Sequence, residues 1–549
     1  MGKFFSRFLL LLLVTVVSLI IYLSYFGINT DKFDDLIKNK ANEVNQNVEL
    51  EFQKTKIHLN IKELNLVVKL QNSKVLIRGN AIDLSKLDLF LSLKSFFSSD
   101  FLLKRAEVAF IENDIKDLTK ITNIFLPKIV NKKLNKIFAK GNIRGEFIIP
   151  FETDGSIGKD YGFTGKISDA SINLTKEFSI KNLTTEISNL EDNNTKGFEI
   201  IIKKGSMYDL ELAGTTINLK REKNEIKIKS LLRTNGKLNF SQIKKISALF
   251  GLNISNFKDI NGTADVKTNI NFDLDKQFSV KNLSYSMDGD IAYFEIHTDE
   301  KRIIKKYLPK YDSKIILKDT HIRLINSKSD HNTELSGFVK IEEDFDSFKI
   351  KEVYNYDKKS FKVDGIIDLT NSQVKVSQLN YKKKSGKKSE VSFNINFVLN
   401  KYYNINNLNF LAERNKINLS DIKLNKKFEV LDFKKLEIKT FLNEIKNNDF
   451  LVKKSEKVII SGQVFDAQPL LKSLYKKSDK KTFSKNFSSE IKINFDKALT
   501  GTNDDIFNFA MIASVNKGSY VKLSSKGIFS ENEIVEMSIY QVDNDKKTL

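Results

Sequence analysis

A chain of 549 residues with no cysteine, no tryptophan and four histidines (His58, His297, His321, His331) has no disulfide framework, no Cys nucleophile and no Cys/His zinc site. Its 41% hydrophobic content and four prolines exclude a disordered, collagen-like or Pro-rich chain, and its length exceeds one ordinary core unless the architecture is a repeat array, whose units contact only their neighbours. The net charge of +21 would suit nucleic acid or anionic lipid, but the excess is lysine scattered along strand faces. Only Lys382–Lys388 and the Lys476–Lys481 region cluster, and both read as solvated hairpin loops between strand patterns.

From Phe8 to Gly27 there is no charged residue, and Leu, Val and Ile dominate. These twenty residues, as a helix, reach about 30 Å, the thickness of a hydrocarbon core. Lys3 and Arg7 precede the stretch and Asp31, Asp34 and Asp35 follow it. The positive-inside rule therefore keeps the amino terminus cytoplasmic and sends the remainder across. No small-x-small cleavage motif follows Tyr25–Asn29, so residues 1–28 read as a cytoplasmic stub and an uncleaved transmembrane anchor.

Thr30 is expected to cap a short helix with Phe33, Leu36, Ile37, Ala41 and Val44 on one face. Strand patterns then fill residues 29–112: Val48-x-Leu50-x-Phe52, Val75-x-Ile77 and Leu87-x-Leu89-x-Leu91-x-Leu93, then a turn at Ser95–Ser99 and a strand over Phe101–Ile111. Residues 113–140 are expected to be helical over Asn113–Ala139, split by Pro127 and stopped by Gly141.

Strand patterns occupy nearly all of residues 141–549. Tyr208–Leu219, Glu225–Leu232 (with Ile226 and Ile228) and Val266–Leu274 (with Ile270 and Phe272) are examples. The cleanest alternation is Val391-x-Phe393-x-Ile395-x-Phe397-x-Leu399. Short helices are expected at Ser241–Phe250 with Ser241 as cap, at Asp299–Leu308 before Pro309, and at Ala467–Tyr475 with Asp466 as cap and Pro469 in the first turn. A strand-like run at Ile534–Val542 lies close to Leu549 with no capping element, so the array is expected to continue in a longer protein.

One eight-residue pattern organises the array: apolar-x-apolar-x-x-apolar-x-apolar. It recurs at Leu59–Leu66, Phe178–Thr185, Phe278–Tyr285, Val374–Tyr381, Tyr403–Phe410 and Leu431–Ile438. Roughly two copies would arise by chance at this composition. Each copy is a strand, a one-residue slip of phase, and a strand again, which is what a β-bulge produces while the apolar side chains keep to one face. The expected fold is mainly β: an N-terminal transmembrane helix, then an elongated, curved, repeat-built antiparallel sheet forming a taco-like groove, with a few short helices. Some 25–30 strands at about 4.8 Å spacing would run on the order of 120–140 Å.

Carboxylates occur singly on polar strand faces or in turns, and the four histidines lie in separate segments. Gly141 and Gly145 lack phosphate-loop spacing and precede a strand. The chain is therefore not read as an enzyme: no catalytic residue, cofactor site or metal site is assigned, and no nucleic-acid partner.

Three phrases carry a family resemblance. The run IDLSKLDLFLSLKSFFSSDFLLKRAEVAFIE (Ile82–Glu112), the Pro-containing LPKIVNKKLNKIFAKG (Leu126–Gly141) and SGQVFDAQPLLKSL (Ser461–Leu474) resemble segments of the AsmA-like superfamily of envelope proteins, of the YhdP and TamB type. The tryptophans many relatives carry near the Pro-containing helix are absent. The resemblance implies a bacterial inner-membrane protein, single-pass through residues 8–27 with its bulk periplasmic, that carries phospholipid towards the outer membrane along an apolar β-groove. Outer-membrane or periplasmic envelope proteins would be its further partners. The lipid-groove candidates are Val391, Phe393, Ile395, Phe397, Ile226, Ile228, Ile270 and Phe272. The rival reading is an envelope scaffold or assembly factor for outer-membrane protein biogenesis, which would use strand edges to template partner strands.

Overall fold

The fold is described from a computed structural model covering all residues except 1, 45, 47, 78–79, 98–101, 118–135, 157, 159–160, 176, 193–194, 223–224, 250–253, 255–256, 278, 299–301, 400, 476–486, 503, 530–532, 544–545 and 549. Strands take 67% of the chain and helices 12%, so the protein is mainly β, as its alternating patterns predict. It divides into two units, Met1–Asn235 with Thr268–Leu283, and Gly236–Lys267 with Ser284–Leu549.

The first unit opens on the helix Gly2–Tyr25, of which Phe5–Tyr25 (21 residues) is long and apolar enough to cross a membrane. The amides of Phe26 and Gly27 both donate to the Tyr22 carbonyl, and Gly27 (φ +68°) turns the chain. A Cβ at Gly27 would lie 2.6 Å from the Ile57 carbonyl oxygen, so only glycine permits this approach. Ile28–Asn29 pair immediately with Ile57 and Lys56.

The next helix starts later than expected, at Asp34–Val44. The Thr30 hydroxyl accepts from the Lys32 amide (3.1 Å) in a turn and does not cap it. Phe33 and Ile37 pack on Ile57, Leu66, Val68 and Leu91, but Leu36 points outward. Leu66, Val68 and Leu70 form one face of Asn65–Gln71. The opposite face holds Val67, across from Phe90, and the Arg105 guanidinium lies 3.8 Å from the Phe90 ring centre.

Only fragments of the expected helix over Asn113–Ala139 fall within the described residues. Pro127 and residues 118–135 lie outside them, and residues 115–117 and 136–137 are helical. Asn113 and Asp114 instead end the strand Leu103–Asp114, and Phe138 begins the strand Phe138–Pro150. The Tyr208–Leu219 pattern is also not one strand. Gly214 (φ +80°) turns it, leaving Leu210–Glu211 and Thr216–Glu222.

The eight-residue pattern resolves into different devices. In Ser179–Asp192 the register slips beside Asn182 (φ +51°), a bulge, and Asn282 (φ +52°) sits at the same place of the Phe278 copy. The Tyr403 copy carries one extra residue, Asn406, against its partner strand. Three copies depart from expectation. Leu59–Leu66 spans a hairpin between Lys54–Asn60 and Asn65–Gln71. Leu431–Ile438 breaks into Val430–Asp432 and Lys435–Leu442. Val374–Tyr381 leaves the main sheet, because Asn380 in the left-handed region ends a 3-10 turn and folds Val374–Val376 back on Tyr381–Lys383.

The second unit contains the helix Phe240–Leu249, capped by Asn239 rather than Ser241: Asn239 and Gln242 exchange backbone-to-side-chain bonds of 3.0 and 3.1 Å. Of the helix expected over Asp299–Leu308, residues 299–301 lie outside the described residues; Arg302–Lys305 is helical and ends before Leu308. The helix Gln468–Tyr475 is capped by Asp466 as the sequence suggests (Gln468 amide to Oδ1, 3.1 Å). Lys314–Asn326 through Val458–Asp466 pair antiparallel, Val458–Asp466 pairs parallel with Ser489–Leu499, and antiparallel pairing then resumes.

Candidate functional site

Because side chains alternate along a strand, register decides which ones share a face. In the second unit, directly opposed residues form a row crossing twelve strands. It begins Ile322–Leu335–Ile350 and passes Gly365 and Phe393. From there it continues through Leu408, Leu419, Leu436 and Val452 to Ile460, Ile493 and Met511. Eleven strand spacings make a contour of about 50 Å. Every side chain in the row is apolar and partly exposed; Gly365 alone is buried, beneath the Phe393 ring.

A parallel row lies on each side of this strip. Towards one strand end, Phe348, Ile367, Val391, Phe410, Ile417, Ile438 and Phe450 oppose one another in register. Most are buried, because Leu369, Val374, Leu379 and Tyr381 of the excursion between Ser360–Asp368 and Glu390–Val398 pack over them. Towards the other end runs an aromatic row: His331–Tyr354–Phe361–Phe397–Tyr403, with Phe428 beyond. Its centroid separations are 5.4, 4.5, 4.9, 5.5 and 4.6 Å. The strip thus lies between a lid and an aromatic border, and each border is worth its own ring contacts and burial.

Polar chemistry fixes the lid. The Leu379 carbonyl accepts from Asn448 Nδ2 (2.8 Å) and Asn447 Nδ2 (3.2 Å), and Asn380 Nδ2 donates to Asp466 Oδ2 (2.9 Å). Asn448 also donates to Thr440 Oγ1 (2.9 Å) and accepts from the Asp466 amide (3.0 Å). Thr440, Asn447, Asn448 and Asp466 are all buried. The Glu342 carboxylate ties the amides of Lys310 (2.7 Å) and Gln373 (2.6 Å), and the Lys375 amide reaches the Tyr307 carbonyl (2.8 Å).

Lys383 corrects the reading of Lys382–Lys388 as a solvated loop. It is 5% exposed, and its Nζ donates to the carbonyls of Leu369, Thr370 and Lys387 at 2.7–3.0 Å. Burial holds the ammonium below the usual lysine range, against the pull of Asp346 and Asp368, and burial likewise pushes the Tyr381 phenol up. The Lys476–Lys481 region lies outside the described residues.

The candidates read from sequence occupy both units separately. In Glu390–Val398, Val391 lies beneath the lid, Phe393 in the strip, Ile395 between Val363 and Ile405, and Phe397 in the aromatic row. All four are partly exposed, as are the polar residues between them, which is the signature of a single layer. Ile226 and Ile228 face Arg221 and Leu219 in the first unit, where Ile228 is buried and Ile226 is not; Ile270 and Phe272 are partly exposed there.

The lid and the aromatic border were missed from sequence. The adjacent Asn447-Asn448 shortly before the apolar Phe450-Leu451-Val452 is the one local signal that a polar partner must fold over that face. Of the histidines, His297 Nε2 lies 2.8 Å from Glu295, His321 sits between Asp288 and Asp290, and His331 joins the aromatic row. Among the described residues no group of three or more His, Asp or Glu is placed to hold a metal ion. No family model, curated protein or solved structure matches the chain.

Proposed function

We propose that this chain is a membrane-anchored carrier of lipid acyl chains, of the AsmA-like bridge type. In this reading the amino-terminal helix sits in the bacterial inner membrane, the bulk is periplasmic, and phospholipid passes along the apolar strip towards the outer membrane. The observation that carries the reading is the twelve-strand row of partly exposed apolar side chains. A sandwich would bury such a row, and a soluble monomer rarely leaves one open. An acyl chain laid on it gains about 0.8 kcal/mol per methylene removed from water. The uniform, unspecific lining suits a ligand recognised by its hydrocarbon.

The test is Ile395→Asp and Phe393→Glu, singly and together, with thermal stability and bound phospholipid read on the same detergent-extracted sample. Both side chains already meet solvent, so a carboxylate there reaches water and the fold should survive. Folded protein that has lost its lipid is expected. Protein that unfolds would mean a closed core, and protein that folds and stays loaded would remove this face as the conduit. A stoichiometric β-barrel protein in place of lipid would favour the assembly role.

A further inference from the structure

The amino-terminal helix and the sheet of the first unit are joined without slack. Gly27 turns the chain, and Ile28–Asn29 pair at once with the strand Lys54–Asn60. That strand contacts the helix, and the His58 ring is hydrogen-bonded to the Ser24 backbone. Ile20, Leu23 and Ser24 are partly shielded and Gly27 is buried, at helical spacing, while Phe5 to Leu19 are exposed. The last two helical turns therefore lie along the strand.

Gly27 lies at the Ile57 carbonyl and the His58 ring, and Ser24 lies by His58, so passing back along the helix towards Ile20 runs in the same sense as passing forward along the strand to the hairpin tip. Seven helical residues and three to four strand residues both span about 10–13 Å. The tip, residues 61–64, thus stands abreast of Ile20, inside the apolar Phe5–Tyr25 stretch.

The tip is built against the usual rules for a soluble turn. Ile61 is 51% and Leu64 65% exposed. Leu64 has φ +49°, and among the described non-glycine residues with positive φ it is the only aliphatic one, at a position that asparagine or glycine would hold without strain. An exposed, strained leucine has no folding reward there. The one acid of the tip, Glu63, is drawn back by the Arg105 fork (2.7 and 3.1 Å), and Lys62 and Lys104 are exposed beside it.

We propose that this hairpin tip seats in the bilayer that the helix enters, with Ile61 and Leu64 in the headgroup–acyl boundary and Lys62 and Lys104 towards lipid phosphates. The proposal rests on the helix spanning a bilayer and is independent of lipid transfer. Insertion at this point fixes the tilt of the first unit on the membrane as a single pivoting helix would not.

The chain has no tryptophan, so one introduced indole reports alone. Ile61→Trp, Leu64→Trp, Leu12→Trp (within the helix) and Ile445→Trp (71% exposed, at the start of a second-unit strand) are made in the full chain, in phosphatidylcholine–phosphatidylglycerol vesicles. Lipids brominated near the headgroup or near the chain end serve as quenchers. The expected result is blue-shifted emission from I61W and L64W, quenched more by the shallow bromines than the deep ones, with I445W red and unquenched. If L12W is quenched while I61W and L64W emit like I445W, the seating is overturned and the anchor stands. If L12W is also unquenched, the anchor falls and the seating with it.

Discussion

Removing the Asn448 side chain is the sharpest test of how the lid is held. The amide makes three buried bonds: to the Leu379 carbonyl, to Thr440 Oγ1 and from the Asp466 amide. In Asn448→Ala the Leu379 carbonyl keeps Asn447, and the Thr440 hydroxyl still donates to Asn447 Oδ1. The Asp466 amide, in a residue 1% exposed, loses this acceptor. A stranded buried donor costs about 1–3 kcal/mol and the two weakened contacts about 1 more, so the lid should open about 30- to 700-fold more often. A chain of this size does not unfold in one step, which makes a global melt a poor readout. Hydrogen exchange by mass spectrometry over residues 374–383 reads the opening directly. Faster exchange there, with first-unit peptides unchanged, is expected. A rate for 374–383 within about twofold of the parent would refute the view that this network clamps the lid.

Phe410→Ala, beneath the lid and 6% exposed, should cost about 3–5 kcal/mol in the same exchange measurement, against a smaller effect for the partly exposed Ile395→Ala. Asn182→Gly should leave stability nearly unchanged while Asn182→Val lowers it by about 1–2 kcal/mol, read by urea titration of the first unit's signals, because a β-branched residue resists the left-handed bulge position. The Glu295 carboxyl is held down to about 2 by its bond from His297 first, then by Lys314 and Tyr293. Its contribution is therefore complete above the ordinary glutamate value of 4.5 and fades as pH falls towards about 2; Glu295→Gln should flatten that part of an acid titration followed by circular dichroism. Protease added to spheroplasts of a bacterial host should digest the chain after about residue 30, and protection of the body would contradict the orientation read from Lys3 and Arg7.

What the chain discloses before folding depends on the range of the interaction. Alternation at Val391–Leu399 and the apolar run after Arg7 are local, and strand and helix appear where they predict. Helix caps are nearly local: Asp466 is legible, whereas at Ser241 the nearer competitor Asn239 wins because Gln242 completes a reciprocal pair. The phase slip in VKVSQLNY reads the same as that in YNINNLNF, yet one folds off the sheet and the other bends within it. The difference is made by Phe410, Asn448 and Asp466, 29, 69 and 86 residues from their partners Tyr381, Leu379 and Asn380, and short patterns carry no trace of that. Lys383 is misjudged for the same reason: its three carbonyl partners exist only once the excursion has closed.

The parallel pairing of Val458–Asp466 with Ser489–Leu499 bears on how the chain is made. In an antiparallel meander each new strand finds its partner a few residues back, so the sheet can zip up in the order in which the chain is made. At the parallel step that economy stops. The strand Ser489–Leu499 cannot dock until the chain, past the helix Gln468–Tyr475, has returned to the starting end of its neighbour. Asp466, which caps that helix and bonds both Asn380 and Asn447, stands at the turning point. Closure of the lid and the return of the chain are thereby tied to one residue, and a folding intermediate that pauses should pause with everything before Asp466 in place and its last strands waiting.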